Sequence, residues 1–269
     1  MSERISANGA ELNVRDRGTG HPVVFIHGVM CSGQLFQGQL DRFSSEYRVI
    51  VPDLRGHGES EKTPDGHTVA NYARDMRALF QELGVDRPVL VGWSMGAMVA
   101  FEYMEQFGQD RVAGLVIVDQ PPSDFAWGDG YEFGMFTPEA LRGAVEEIQT
   151  ELADVAGEWA GLMLHEPTPE LTALLVEQIR KVPPAVGTSI LVNQTLQDYR
   201  ALLPKIEVPT LVLFGGDDKA TNPEAGRWMA NVLPDARFHV FDRSSHCPFI
   251  EEPDAFNDVL QGFLEEVSR

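Results

Sequence analysis

Several things are scarce in this chain, and each scarcity removes a class of protein. Cysteine occurs only twice, at Cys31 and Cys247. Two cysteines cannot build a disulfide framework, and two free thiols suit a reducing compartment. No stretch approaches the roughly 20 apolar residues of a membrane span. The opening residues, MSERISANGAELNVRDRGTG, are polar and hold no apolar signal core, so no secretory leader is expected. Basic residues are few: 21 Lys and Arg stand against 41 Asp and Glu, a formal net charge of −20. That balance argues against nucleic acid or an anionic membrane surface as partner. There is no internal repeat, no Cys/His cluster and no GxGxxG phosphate loop, so neither a metal nor an organic cofactor is expected. The expectation is a soluble, cytoplasmic protein whose oligomeric state, a homodimer included, is left open.

What is present is a large reserve of apolar residues in short runs. The 269 residues are 43% hydrophobic, enough for one large domain or a domain with a sizeable insertion. The runs PVVFIHG, YRVIVPD, PVLVGWS, GLVIVDQ and PTLVLFGG barely alternate, as strands buried on both faces do not. Helical stretches over 68–83 and 95–107 separate some of them. In the last segment Phe256, Val259, Leu260, Phe263, Leu264 and Val267 form one helical face behind Pro253. Alternating strands and helices predict an α/β fold, a mostly parallel central sheet with helices on both faces. The two-residue rhythm of AELNVRDRG predicts an antiparallel edge strand.

The alternation stops after Asp119 and resumes at Thr210. The intervening stretch opens turn-rich and aromatic, QPPSDFAWGDGYEFGMF, and then becomes helical. Thr137 and Thr168 each precede Pro-Glu, the pattern of an N-cap with proline at the first helical position. The division expected is a core of 1–121 and 207–269, with 122–206 as a helical cap or lid.

Four pieces could carry chemistry. GWSMGAM places Ser94 between Gly92 and Gly96 at a strand-to-helix junction, where a sharp turn projects the hydroxyl and crowds both neighbours. A serine hydroxyl needs a base near pH 7, and His246 lies in a loop before the last helix, past the insertion. His27 and His57 sit beside glycine in tight turns and suit loop scaffolding. The base needs an acid to orient it. Asp119, Asp217 and Asp218 all follow apolar strands, at the edge where open α/β sheets bind ligands. Period-two reasoning does not choose between Asp217 and Asp218. Backbone amides of Val29, after Gly28, and of Met95 are placed to hold a developing oxyanion.

Taken in order, HGVMCSG, VPDLRGHGES, VGWSMGA, LVLFGGDD and SSHCPFIEEPDAF resemble the α/β-hydrolase fold superfamily over essentially the whole chain. The resemblance implies a triad of Ser94, acid and His246. The family's acid motif is glycine, two residues, then aspartate. Counted from Gly215 it implies Asp218, with Asp119 next and Asp217 third. Asp53, Arg55 and His57 match its structural loop. Serine at the elbow separates the chain from the aspartate-bearing dehalogenases and epoxide hydrolases. The elbow is similar to those of small esterases, lactonases and the cofactor-free haloperoxidase/perhydrolase group. Val29 and Met30 stand where that last group carries an aromatic residue and proline. The activity implied is cleavage of neutral, hydrophobic esters or lactones, small-molecule substrates, with C–C bond hydrolysis or perhydrolysis as the alternative. A hydrolase-fold receptor with little turnover is the rival of another class. Trp93, Met30, Phe125, Trp127, Phe133 and Phe136 are expected to line the pocket.

Overall fold

A computed structural model describes residues 2–268, the side chain of Ala153 excepted. Its strands are β1 Ser2–Ala7, β2 Ala10–Arg17, β3 Pro22–Ile26, β4 Arg48–Pro52, β5 Val89–Trp93, β6 Gly114–Val118, β7 Thr210–Gly215 and β8 Ala236–Phe241. They form one sheet in the order β1-β2-β4-β3-β5-β6-β7-β8. β4 through β8 run parallel, and β1 and β2 are antiparallel. The five apolar runs are β3 to β7, and every residue of β5, β6 and β7 is buried.

AELNVRDRG forms an antiparallel strand, but not the edge. β1 covers it in a hairpin, Ala7 opposite Ala10. The turn is Asn8-Gly9, with φ of 49° and 76°, the two positive values that a two-residue hairpin turn requires. β1 itself is mostly exposed, so no buried alternation marks it in the sequence.

The helices are α1 Gln37–Phe43, α2 Val69–Leu83, α3 Met95–Phe107, α4 Pro138–Thr150, α5 Leu152–Leu162, α6 Pro169–Arg180, α7 Pro184–Thr195, α8 Pro223–Val232, α9 Pro248–Glu251 and α10 Pro253–Val267. Successive strand side chains point to opposite faces, and the core divides accordingly. Val24, Ile26, Leu90 and Ile117 pack with α2, α3 and α8. Val23, Phe25, Val91 and Val118 pack with α1 and α10.

Helices α4 to α7 lie between β6 and β7. The Thr137 and Thr168 hydroxyls accept the Ala140 and Leu171 amides, with Pro138 and Pro169 opening α4 and α6. A third apolar cluster of Met30, Leu152, Ala156, Ile179, Val182 and Val186 ties these helices to the loop after β3. Among the described residues no helix is long and apolar enough to cross a membrane.

Candidate active site

β5 ends at Trp93 and α3 starts at Met95, which leaves Ser94 alone to turn the chain. Its φ is 53° and its ψ −129°, a conformation that costs a non-glycine residue of order 1–3 kcal/mol. The flanking glycines follow from space. A Cβ at Gly92 would lie 2.5 Å from the Ala97 backbone, and one at Gly96 would run into the Ile26 carbonyl of β3. The strand, the turn and the helix therefore meet without side chains between them.

The loop after β3 passes directly beside this turn. A Cβ at Gly28 would sit 3.0 Å from the Ser94 Cβ. His27 holds the loop: its Nε2 accepts the Leu54 amide at 2.9 Å and its Nδ1 donates to the Gly28 carbonyl at 2.8 Å. Burial lowers this imidazole to about 4, so it remains neutral and keeps both bonds. Among the described residues neither the Val29 nor the Met95 amide donates to a loop or cap carbonyl. For Met95 that is the ordinary consequence of opening a helix.

His246 lies in the loop between β8 and α9. The Trp93 Nε1 donates to its carbonyl at 2.7 Å, and its own amide donates to the Met163 carbonyl at 3.1 Å. Elbow and insertion thus pin the same residue. Two carboxylates lie behind its ring. Nδ1 is 3.7 Å from Asp119 Oδ2 and 3.6 Å from Asp218 Oδ2. Both acids converge because β6 and β7 are neighbours, with Val118 opposite Leu213 and the Asp119 amide donating to the Leu213 carbonyl.

The electrostatics follow from enclosure. Burial and then the charge of Asp218 push the Asp119 carboxyl up to about 7. Burial opposes ionisation of Asp218 too, but His246 and the hydrogen bonds around it hold this carboxyl well below the usual range. Burial alone would lower His246, and the two carboxylates outweigh it and raise the imidazole above its ordinary value. The donor atoms of Asp119, Asp218 and His246 lie within 4.8 Å of one another, the spread of a metal's ligand set. The two carboxyls, however, already bond a common hydroxyl, Thr221 Oγ1.

Asp217 stands apart. Its side chain is 60% exposed and bonds His165 Nδ1 of the insertion at 2.7 Å, rather than local amides. Asp53, Arg55 and His57 bind loop backbone and neighbouring side chains. Asp53 accepts the Gly33 and Glu59 amides, Arg55 forks onto buried Asp75, and His57 Nδ1 donates to the Arg55 carbonyl. Cys31 and Cys247 are fully buried, and burial raises both thiols, Cys31 to about 12. Neither is a thiolate near neutral pH.

Ser94 and His246 both face a cavity of about 450 Å³ between the sheet edge and the insertion. Trp93 and Phe136 line it. Met30, Phe125, Trp127 and Phe133 do not, for reasons of packing. Met30 is buried against Gly187 and the third cluster. Phe125 meets Trp127 edge-to-face, and Trp127 is 39% exposed and tied by its N–H to Ser123. Phe133 packs on Tyr131 and Trp228. In their place α4 presents Ala140, Gly143, Ala144 and Glu147. Their i, i+3, i+4, i+7 spacing is one helical face, but small residues carry no apolar signal. Leu191 and Gln194 of α7 add a second such pair.

The alpha/beta hydrolase family matches residues 23–259, and the chain belongs to it. Its fold is similar to that of an esterase from Exiguobacterium antarcticum, with a TM-score of 0.94 and 27% identity over 98% of this chain and 100% of that one. A pimeloyl-[acyl-carrier protein] methyl ester esterase of Vibrio atlanticus is 27% identical, covering 93% of this chain and 96% of its own. A non-heme chloroperoxidase of Kitasatospora aureofaciens is 29% identical, covering 96% of this chain and 98% of its own.

Proposed function

We propose that the chain is a serine hydrolase that cleaves neutral, hydrophobic carboxylic esters or lactones. The observation that carries this reading is the convergence of a strained elbow serine and a carboxylate-backed histidine on one apolar cavity. In the proposed cycle Ser94 attacks the carbonyl while His246 takes its proton, and Asp218 holds the imidazole tautomer. The Val29 and Met95 amides receive the oxyanion, and removing one such donor typically costs about 10²–10³ in kcat. His246 protonates the leaving alcohol and then activates water to release the acid. No cofactor or metal is needed for these steps, and the acidic surface suits neither nucleic acid nor an anionic membrane. A fluorophosphonate probe, with a series of p-nitrophenyl esters and simple lactones, tests the proposal. Ser94 labelled and short neutral esters turned over is the expected result. A protein that neither labels nor turns over any of them is a receptor on this fold instead.

Two further results are expected. Because His246 must be neutral to act as base and its folded value is raised, activity is low in acid. kcat/KM climbs with pH on a limb centred above the 6.5 of free imidazole. A limb centred below that value contradicts the carboxylate pairing. The second concerns charge. Residues 120–206 hold 13 acidic and five basic residues, and Glu147 lines the cavity with its carboxylate on the Trp159 N–H. Glu147→Gln raises the ratio of kcat/KM for a p-nitrophenyl hemiester to that for its neutral counterpart by about fivefold, or ~1 kcal/mol. An unchanged ratio removes Glu147 from substrate selection.

The likeness to a chloroperoxidase favours a second reading, perhydrolysis, in which hydrogen peroxide replaces water on the same acyl-enzyme and leaves as a peracid. Halide oxidation by the protein with acetate and hydrogen peroxide, lost on removal of acetate, would establish it.

A further inference from the structure

We propose that Asp119 and Asp218 are a single proton-sharing pair bridged by Thr221, in which Asp119 keeps its proton as a positioning residue and Asp218 alone carries the charge facing His246. The proposal rests on the reading of His246 as the base and on a count of the protons around Thr221. Thr221 Oγ1 lies 2.5 Å from Asp119 Oδ1 and 2.5 Å from Asp218 Oδ2. A threonine hydroxyl has one hydrogen to donate. Two ionised carboxylates at that distance would leave one oxygen pair with no proton between them, inside the protein. Like charges sharing a buried site do not both ionise. One of the two acids therefore supplies the second hydrogen.

The surroundings decide which. Asp218 Oδ1 also accepts the Ala220 amide at 2.7 Å, and it lies 3.3 Å from the Ser245 hydroxyl, whose one hydrogen it shares with the Leu162 carbonyl. Among the described residues Asp119 has, besides Thr221, one long bond from the Gly215 amide at 3.3 Å, although both side chains are equally enclosed. Donors gather where the negative charge is. The chain of bonds then runs one way. Asp119 Oδ1–H donates to Thr221, Thr221 donates to Asp218 Oδ2, and the charge left on Asp218 faces His246 Nδ1 at 3.6 Å. The raised carboxyl of Asp119 and the depressed one of Asp218 agree with this direction. Asp119 also has an unusual backbone, φ 51°, and its Oδ2 meets the Gly215 amide at the end of β7.

The pair assigns unequal effects to two aspartates almost equidistant from the imidazole. On a neutral p-nitrophenyl ester, Asp119→Asn, whose amide restores an N–H toward Thr221, loses less than about tenfold in kcat with KM little affected. Asp218→Asn loses about 10⁴. Thr221→Val, which breaks the bridge, loses about 10- to 100-fold in kcat, and Thr221→Ser returns to within about threefold of wild type. Equal losses in Asp119→Asn and Asp218→Asn, or a fully active Thr221→Val, overturn the assignment.

A second measurement does not depend on activity. A carboxyl that stays protonated in the fold, but not in the unfolded chain, gives stability that is full below about pH 4. That stability is lost as pH rises toward about 7. The wild-type thermal midpoint, taken relative to Asp119→Asn, therefore falls between those pH values. The charged or titratable groups that face Asp119, namely Asp218, His246 and Cys247, are present in both proteins. A difference that rises with pH means an ionised Asp119 and overturns the proposal. If wild type neither labels with fluorophosphonate nor turns over ester, the hydrolase reading fails, while this pH trend still reports the proton on Asp119.

Discussion

Ser94→Ala is expected to lower kcat on a neutral ester by about 10⁵–10⁶ and to abolish fluorophosphonate labelling. The size follows from what remains. The oxyanion amides and the apolar cavity persist in the variant, and such features alone give a residual of about 10³–10⁴ over water. The hydroxyl is lost, and with it the acyl-enzyme that splits one difficult step into two. Folding provides the control. Alanine at φ 53° keeps the strain of the native turn, so the thermal midpoint stays close to wild type. Ser94→Gly removes both the hydroxyl and the strain, and is expected to be inactive yet more stable by about 1 kcal/mol. Ester turnover by Ser94→Ala equal to wild type would end the serine mechanism.

The second large effect is expected of Asp218→Asn, about 10⁴ in kcat with intact folding. An asparagine amide is neutral and can present an N–H where a negative acceptor is needed. The imidazolium formed during attack then loses its counter-charge, and the wrong ring nitrogen carries the proton. Asp217→Asn, one residue earlier, is expected to stay within about twofold, because Asp217 is largely exposed and bonds His165 on the insertion. Stopped-flow or steady-state rates on one ester compare the two directly. A crippled Asp217→Asn with an active Asp218→Asn would transfer the orienting role across the GGDD turn.

These expectations differ in how far they could be read from residues alone. The elbow was legible because its constraint is local: Gly92 and Gly96 must be small wherever that turn occurs, since Ala97 and the Ile26 carbonyl occupy the space. The strands were legible because burial on both faces imposes an unbroken apolar run. β1 was not, since it is mostly exposed and only the Asn8-Gly9 turn betrays it. The four misplaced pocket residues share one cause. Apolar character says that a side chain will be covered, not by what. Met30 and Phe133 are covered by packing, while Ala140, Gly143 and Ala144 of α4 share the cavity wall with Trp93, Phe136, Trp159 and Leu191.

From the sequence alone come the α/β alternation, the helical insertion and the turn that isolates Ser94, because short-range sterics and the period of burial dictate each of them. The meeting of Asp119 and Asp218 behind one imidazole comes from tertiary structure. It depends on β6 and β7 lying side by side in register, with Thr221 returning between them. Those residues stand about a hundred positions apart in the chain, and no local pattern carries the information that sheet pairing supplies.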